Sequence, residues 1–148
     1  VGDDTDAHVD TLARFVSPTQ IAYVRCNDPA DEHYEELQKM EAELKAFRTL
    51  ANEPYELIPL PWPPVVKSPE DGHRLPATYA NFLLSGGTLF LPFYFNSEPE
   101  DHPGRKTDAA AAEVLRAKTG YKVVPLDCQA FIEQHGSLHC LTMQVPKV

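Results

Sequence analysis

Two six-residue stretches, YELIPL at 55–60 and YKVVPL at 121–126, decide the fold of this chain. They share the pattern Tyr-x-(Leu/Val)-(Ile/Val)-Pro-Leu and begin 66 positions apart (121 minus 55). Their β-branched and aliphatic residues favour strands. A strand that recurs after a long interval indicates a repeated structural unit, so matching elements are expected before each copy.

The first copy closes a unit over approximately 8–60. Residues 11–25 read as a hairpin that turns at Ser-Pro-Thr, 17–19. Residues 31–50 keep apolar side chains at three-to-four spacing, which predicts an amphipathic helix with acidic residues in its first turn. The order of predicted elements is therefore strand, strand, helix, strand.

The second copy closes a unit over approximately 75–127 with the same order. Two strand-like runs over 79–95 are broken by Ser-Gly-Gly, and the alanine-rich residues 108–118 favour a helix. The proline-rich residues 59–69 read as an ordered connection between the units, and 98–106 read as an irregular loop. The fold class is α/β, in a single domain over 1–148.

A third unit is indicated by residues 136–146, where 138–145 predict a closing strand. An incomplete repeat leaves strand edges and apolar faces uncovered. We therefore expect the chain to associate, either as a homo-oligomer or with the amino-terminal half of a parent protein.

The net charge of −9 excludes some partners and favours others. It would repel a phosphate backbone and attract small cations, so no nucleic acid is expected. The chain has three cysteines without a CxxC pair, which favours a reduced, cytoplasmic protein over a disulfide framework. No apolar run is long enough to span a bilayer, and the acidic first residues do not read as a signal peptide, so no membrane partner is expected.

Two short motifs could carry chemistry. His8 and Asp10 flank Val9 in the predicted first strand, so alternation would place the imidazole and the carboxylate on one face. Cys140 follows Gly136 and Ser137, and a glycine-bearing loop can supply backbone donors to a thiolate. A cysteine with a distant histidine is typical of an activated nucleophile and its proton carrier.

Structural interpretations of the same residues stay open. A His-x-Asp pair is often a surface or strand-end feature, and Cys140 could be a small buried hydrophobe. A metal held by His8, Asp10, His139 and Cys140 fits no standard zinc spacing, so no metal and no cofactor are predicted. Cys26 and Cys128 are interpreted as packing residues.

Longer motifs favour the catalytic interpretation. Residues 2–15, GDDTDAHVDTLARF, resemble the histidine-aspartate motif of the agmatine deiminase and Porphyromonas-type peptidylarginine deiminase family. Residues 136–144, GSLHCLTMQ, resemble that family's cysteine motif, and residues 79–82, YANF, agree between them. The resemblance covers nearly the whole chain and implies a partial α/β-propeller of the pentein type, in which five such units surround a central active site.

The resemblance also implies roles for individual residues. Cys140 would be the nucleophile, His8 the general acid and base, and Asp10 a carboxylate that grips a guanidinium. The implied substrate contacts are Asp10, Asp4, Gly136 and Ser137. The reaction would convert a guanidinium, in agmatine or peptidyl-arginine, into a ureido group through a covalent cysteine intermediate.

Two departures from the family pattern limit this expectation. The family carries a further carboxylate in an Arg-Asp-x-Gly-Pro segment, and this chain contains no Arg-Asp dipeptide. Ala7 stands where the family usually has glycine before the histidine. We therefore expect either a hydrolase fragment that is incomplete on its own, or a non-catalytic binding or assembly module derived from a deiminase.

Overall fold

Residues 8–145 are described by the computed structural model as an α/β fold with two three-stranded sheets. The strands are β1 (Ala13–Ser17), β2 (Gln20–Arg25), β3 (Glu56–Pro61), β4 (Leu83–Ser85), β5 (Thr88–Phe93) and β6 (Lys122–Asp127). The α-helices are α1 (Tyr34–Ala46), α2 (Pro103–Thr119) and α3 (Gln129–Ile132), and 3₁₀ helices span Val9–Thr11 and His139–Leu141. Asp4 lies outside the described residues.

The two sheets have the same topology. In the order β1-β2-β3, the first pair is antiparallel and the second is parallel, with α1 as the crossover. The order β4-β5-β6 repeats this pattern with α2 as the crossover. The repeated prolines occupy equivalent positions, since Pro59 lies opposite Tyr23 and Pro125 opposite Leu91. The predicted order of elements is therefore confirmed in both units.

The turn between β4 and β5 shows why the sequence has two consecutive glycines there. Gly86 and Gly87 have φ values of 55° and 76°. Two adjacent residues with positive φ match the twist of a tight hairpin, and glycine adopts that conformation without a steric penalty. The Ser-Gly-Gly sequence therefore fixes the position of this hairpin.

Both units contribute to one hydrophobic core. Ile58 and Leu60 of β3, and Leu89 and Leu91 of β5, are almost completely buried in the same cluster. Helix α2 adds Leu115 and two buried alanines to it. Apolar burial contributes about 25 cal/mol per Å², so this shared core holds the two units in a fixed relation.

The helices start at positions different from those predicted. Helix α1 begins at Tyr34 and not at Asp31, because the Asp31 carboxylate accepts a hydrogen bond from the His33 backbone N–H and so forms a turn. Helix α2 begins at Pro103, inside the predicted loop 98–106, because His102 Nδ1 caps Gly104 N at 3.1 Å.

The predicted closing strand over 138–145 is wrong. His139–Leu141 is a 3₁₀ helix, and residues 142–145 are irregular. The backbone N–H groups of His139 and Cys140 point to the side-chain oxygen of Asn81, and Thr142 N donates to His139 O. Because these N–H groups already have partners, they cannot form a strand ladder.

No helix within residues 8–145 combines the length and the apolar character that a membrane crossing requires.

Candidate active site

The His8–Asp10 segment is a turn and not the predicted start of a strand. Thr11 donates to the His8 carbonyl from its backbone N at 3.2 Å and from its hydroxyl at 2.7 Å. This local pairing of a threonine with the backbone competes with extended structure and produces the 3₁₀ helix Val9–Thr11. His8 and Asp10 therefore do not share the face of a strand, and the half-buried Asp10 points toward residues of the second unit.

Asn81 lies at the centre of the contacts around Asp10. Its side chain is completely buried. The amide nitrogen lies 3.3 Å from both the carbonyl oxygen and Oδ2 of Asp10. The amide oxygen accepts from His139 N at 2.8 Å. One amide therefore joins the aspartate motif to the cysteine motif.

Cys140 is exposed and belongs to the same cluster. Its Sγ lies 3.4 Å from Asn81 Nδ2, a distance suited to a hydrogen bond from an amide to sulfur. Its backbone N lies 3.4 Å from Asn81 Oδ1. The amide nitrogen can donate to a thiolate, and Asn81 Oδ1, which lies 3.6 Å from Sγ, can accept from the protonated thiol. The structure thus brings together Asp10 and Cys140, two of the predicted catalytic residues.

His139 is a site residue that was not predicted to act in catalysis. Its Nδ1 lies 2.6 Å from Asp10 Oδ2, and both side chains are about one quarter exposed. Such a pair is a charge-assisted hydrogen bond when the imidazole is protonated. The Asp10 carboxylate therefore already holds a cationic or hydrogen-bonding partner.

Arg14 is a second site residue that was not predicted. Its guanidinium lies 4.9 Å from the centre of the Phe82 ring and donates to the Phe82 carbonyl. Burial lowers the pKa of Arg14, and the negative charges of Asp10 and of Cys140 as a thiolate oppose that shift. Because arginine stays charged at physiological pH, Arg14 is a fixed cation beside the cluster.

His8 is not brought into this cluster. It is exposed, and its side chain makes no hydrogen bond or ion pair with residues 8–145. Its general acid-base role therefore stays a prediction from the resemblance.

The two residues of the predicted loop differ in position. Gly136 is half-buried, and a Cβ built on it would lie 3.4 Å from Cys140 Cβ, so it is a direct neighbour of the cysteine. Ser137 is completely buried and its hydroxyl lies 2.7 Å from Tyr94 Oη. The Ser137 hydroxyl therefore faces the interior, and the predicted contact of Ser137 with substrate stays a prediction.

The other two cysteines are packing residues, as predicted. Cys26 and Cys128 are both completely buried. Burial raises the pKa of the Cys26 thiol, and burial together with Asp127 raises that of Cys128 to about 11. Both thiols are therefore protonated and inaccessible near neutral pH.

Asn81 could have been identified as a site residue from the sequence, whereas the sequence indicates Arg14 and His139 more weakly. Asn81 lies in the stretch YANF, where a polar residue interrupts a run that is otherwise completely buried. A buried asparagine must find partners for its amide, which indicates a structural or functional network.

Across residues 8–145, no group of three or more histidine, cysteine and acidic side chains is arranged to hold a metal ion.

A groove of about 340 Å³ lies beside Asp10. Val9, Arg14, Phe15 and Phe47 contribute to its wall. This volume falls within the range of small-molecule sites, and its wall is mostly apolar with one carboxylate and one guanidinium.

Comparison with known proteins identifies the family. A Porphyromonas gingivalis protein of known structure, provisionally named arginine deiminase, is 46% identical and superposes with a TM-score of 0.85 over 99% of this chain and 40% of its own. C. jejuni agmatine deiminase, solved with substrate bound, is 39% identical with a TM-score of 0.72 over 93% of this chain and 37% of its own.

A Vibrio parahaemolyticus protein, provisionally named agmatine deiminase, is 30% identical over 97% of this chain. The chain spans 42% of the length of that relative. The family model for Porphyromonas-type peptidyl-arginine deiminases matches residues 1–146, and this chain belongs to that family.

Proposed function

We propose that this chain supplies the nucleophile and part of the guanidinium site of a deiminase that hydrolyses agmatine or peptidyl-arginine. The observation that carries the proposal is the position of Asn81, whose amide nitrogen lies 3.3 Å from Asp10 Oδ2 and 3.4 Å from Cys140 Sγ. A cation-binding carboxylate and a nucleophilic sulfur thus share one neighbour. Family membership and the net charge of −9 support a small cationic substrate.

In the proposed reaction, the thiolate of Cys140 forms a bond to the central carbon of the guanidinium. The C–N bond to one amino group then breaks, and that group takes a proton and leaves as ammonia. Water attacks the resulting amidino-thioether, the C–S bond breaks, and the product is a ureido compound. The balance is one guanidinium and one water to one urea group and one ammonium ion.

A cysteine nucleophile is supported by a solved relative. A cysteine-to-serine variant of C. jejuni agmatine deiminase was solved with its substrate bound. Exchange of sulfur for oxygen keeps the size of the side chain but removes its nucleophilicity at neutral pH, so such a variant holds substrate without consuming it. In this chain, Cys140 is the exposed thiol.

Asp10 would bind the guanidinium, which would replace the imidazole of His139 at the carboxylate. The carboxylate now pairs with His139 Nδ1, and a guanidinium can replace that contact with two parallel N–H donors. The groove beside Asp10 has room for the alkyl chain or peptide that carries the guanidinium. His8 would carry the proton to the leaving ammonia, in line with its place in the family motif.

We further propose that turnover needs a second carboxylate from outside this sequence. A planar cation held by a single carboxylate lacks charge-assisted hydrogen bonds worth roughly 1.5–3 kcal/mol each. That carboxylate would come from another part of a longer protein that contains this chain, or from an amino-terminal partner, in the five-unit ring that the family resemblance implies.

The test is formation of ureido product from agmatine and from an arginine peptide. The chain is assayed alone and mixed with the amino-terminal portion of a relative, with Cys140→Ser as the control. Product that appears in the mixture and disappears in the variant supports the proposal. Absence of product in every mixture, from folded chains that associate, would contradict it.

An assembly role is the second candidate, and a specific observation favours it. Val9, Phe15 and Phe47 are 69%, 60% and 50% exposed and lie around one groove. Phe15 belongs to β1, which is an edge strand with unpaired backbone groups. Light scattering at micromolar concentration is expected to show a dimer or larger species that Phe15→Glu dissociates; a stable wild-type monomer would exclude self-association.

A further inference from the structure

The phenol of Tyr94 joins the two chain segments that form the site. Its Oη lies 2.7 Å from Ser137 Oγ and donates to Thr78 O at 2.8 Å. Because the phenol has a single hydrogen, which goes to Thr78 O, the Ser137 hydroxyl donates to the phenol oxygen. One buried oxygen atom therefore holds two segments together.

The two segments have matching positions relative to the site. Thr78 precedes Asn81 by three residues, and Ser137 precedes Cys140 by three residues. The contact between Asn81 Nδ2 and Cys140 Sγ, at 3.4 Å, thus lies three residues further along both segments than the contact made by Tyr94. Because only three residues separate each pair along the chain, the distance between Thr78 and Ser137 constrains the distance between the amide and the sulfur.

Tyr94 is itself fixed from the opposite side. Its backbone N–H and that of Phe95 donate to the two carboxylate oxygens of Asp108, at 3.3 Å and 3.1 Å. The Tyr79 hydroxyl also donates to Asp108, at 2.8 Å. Burial raises the pKa of Asp108, and the hydrogen bonds from Tyr79, Tyr94 and Phe95 oppose this shift.

This network is inside the protein and does not face the site. Thr78, Tyr79, Tyr94, Asp108 and Ser137 are all at least 96% buried. Polar groups in such an environment keep well-defined distances, because an unpaired donor or acceptor there is costly. The network therefore has the rigidity that a supporting shell for a reactive thiol requires.

We propose that Tyr94 is a positioning residue, which sets the distance between Asn81 and Cys140 by clamping Thr78 to Ser137. The inference rests on the proposed role of Cys140 as nucleophile. It assigns Ser137 to the support of the cysteine loop and connects helix α2, through Asp108, to the reactivity of the thiol.

Tyr94→Phe tests the proposal by removal of one oxygen atom. We expect the iodoacetamide labelling rate of Cys140 to fall at least fivefold at pH 7. Ser137→Ala keeps the bond to Thr78 and is expected to give a smaller decrease. Both substitutions interrupt the same connection between Thr78 and Ser137. Cys140 in the double variant should therefore react no more slowly than in Tyr94→Phe alone.

Tyr121→Phe is the matched control. It also removes a phenol that donates to a backbone carbonyl, Val16 O at 3.1 Å, but it lies outside the network. It is expected to leave Cys140 labelling unchanged. If Tyr94→Phe and Ser137→Ala label like Tyr121→Phe while remaining folded by circular dichroism, the positioning role is wrong.

The proposed nucleophile and the proposed positioning residue are contradicted by different outcomes. If wild-type Cys140 reacts no faster than it does in the unfolded chain, the proposed nucleophile is wrong. If wild-type Cys140 is fast and Tyr94→Phe is equally fast, only the positioning role is wrong. If Tyr94→Phe does not fold, Ser137→Ala decides the question, since it leaves a small side chain in the same place.

Discussion

The side-chain nitrogen of Asn81 lies 3.4 Å from the sulfur of Cys140, although 59 residues separate them in the sequence. The same amide group contacts Asp10, 71 residues away, at 3.3 Å. Three distant segments therefore meet at one buried side chain.

Asn81→Ala should slow iodoacetamide labelling of Cys140 and lower the free energy of unfolding. The variant leaves the backbone N–H groups of His139 and Cys140 without their side-chain acceptor, and an unsatisfied buried group costs about 1–3 kcal/mol. Urea unfolding and peptide mass spectrometry measure the two effects. Asn96→Ala is the control, because Asn96 is exposed and its side chain makes no hydrogen bond within residues 8–145. Equal labelling rates and equal free energies of unfolding in the two variants would refute a central role for Asn81.

Arg14→Gln should reduce the reactivity of Cys140. Loss of the fixed cation beside Asp10 and Cys140 removes a favourable interaction with a thiolate, which we expect to slow labelling roughly threefold to tenfold. The measurement is the labelling rate at pH 7 in low and high salt. Arg116→Gln, at an exposed position of α2, is the matched control, and a similar rate in both variants would show that Arg14 only packs on Phe82.

The sequence predicted the repeated units well and the site only in part. The Tyr-x-(Leu/Val)-(Ile/Val)-Pro-Leu stretches carry their own periodicity, so β3 and β6 follow from local propensity. The closing strand failed because the N–H groups of His139 and Cys140 bind Asn81, a tertiary contact that local pattern does not contain. Asp10 and Cys140 were recognised through long motifs, whereas His139 and Arg14 gained their positions only from folding.

Asp31 should make the protein lose stability in acid. Burial disfavours its charged form, but hydrogen bonds from His33 N, the Arg74 guanidinium and the Trp62 indole outweigh burial and lower the pKa of Asp31 to about 2. The carboxyl group binds protons less readily in the folded state. Its contribution is therefore complete above the unfolded pKa near 4 and is lost as the pH falls toward 2.

The size of this contribution is about 2 kcal/mol at neutral pH, since the side chains of Asp31 and Arg74 are only 12% and 15% exposed. Asp31→Asn should lower the free energy of unfolding at pH 7 and flatten its dependence on pH between 4 and 2. Urea titrations at several pH values measure this slope. Asp101→Asn, at an exposed residue whose side chain has no partner within residues 8–145, should keep the wild-type slope. A wild-type slope in Asp31→Asn would show that Asp31 does not cause the loss of stability in acid.

Gly104→Ala should destabilise the chain. A Cβ at this position would lie 2.2 Å from the Phe95 ring, so helix α2 or the ring must move. Overpacking of this kind typically costs about 1–3 kcal/mol. Gly136→Ala makes the same chemical change with an ordinary contact of 3.4 Å to Cys140 Cβ, and it should unfold close to the wild-type urea concentration. Equal midpoints for the two variants would show that α2 adjusts freely over Phe95.

The most direct measurement is the iodoacetamide labelling rate of Cys140 in the folded chain relative to the same cysteine in urea. In urea the cysteine is fully exposed and has none of its folded neighbours. A higher labelling rate in the folded chain therefore reports activation of the thiol by the fold. If Asn81 and Arg14 support a thiolate, Cys140 should react faster in the folded chain at pH 7, while the buried Cys26 and Cys128 react more slowly than in urea. A folded-state rate for Cys140 equal to or below its rate in urea would contradict the assignment of this residue as the nucleophile.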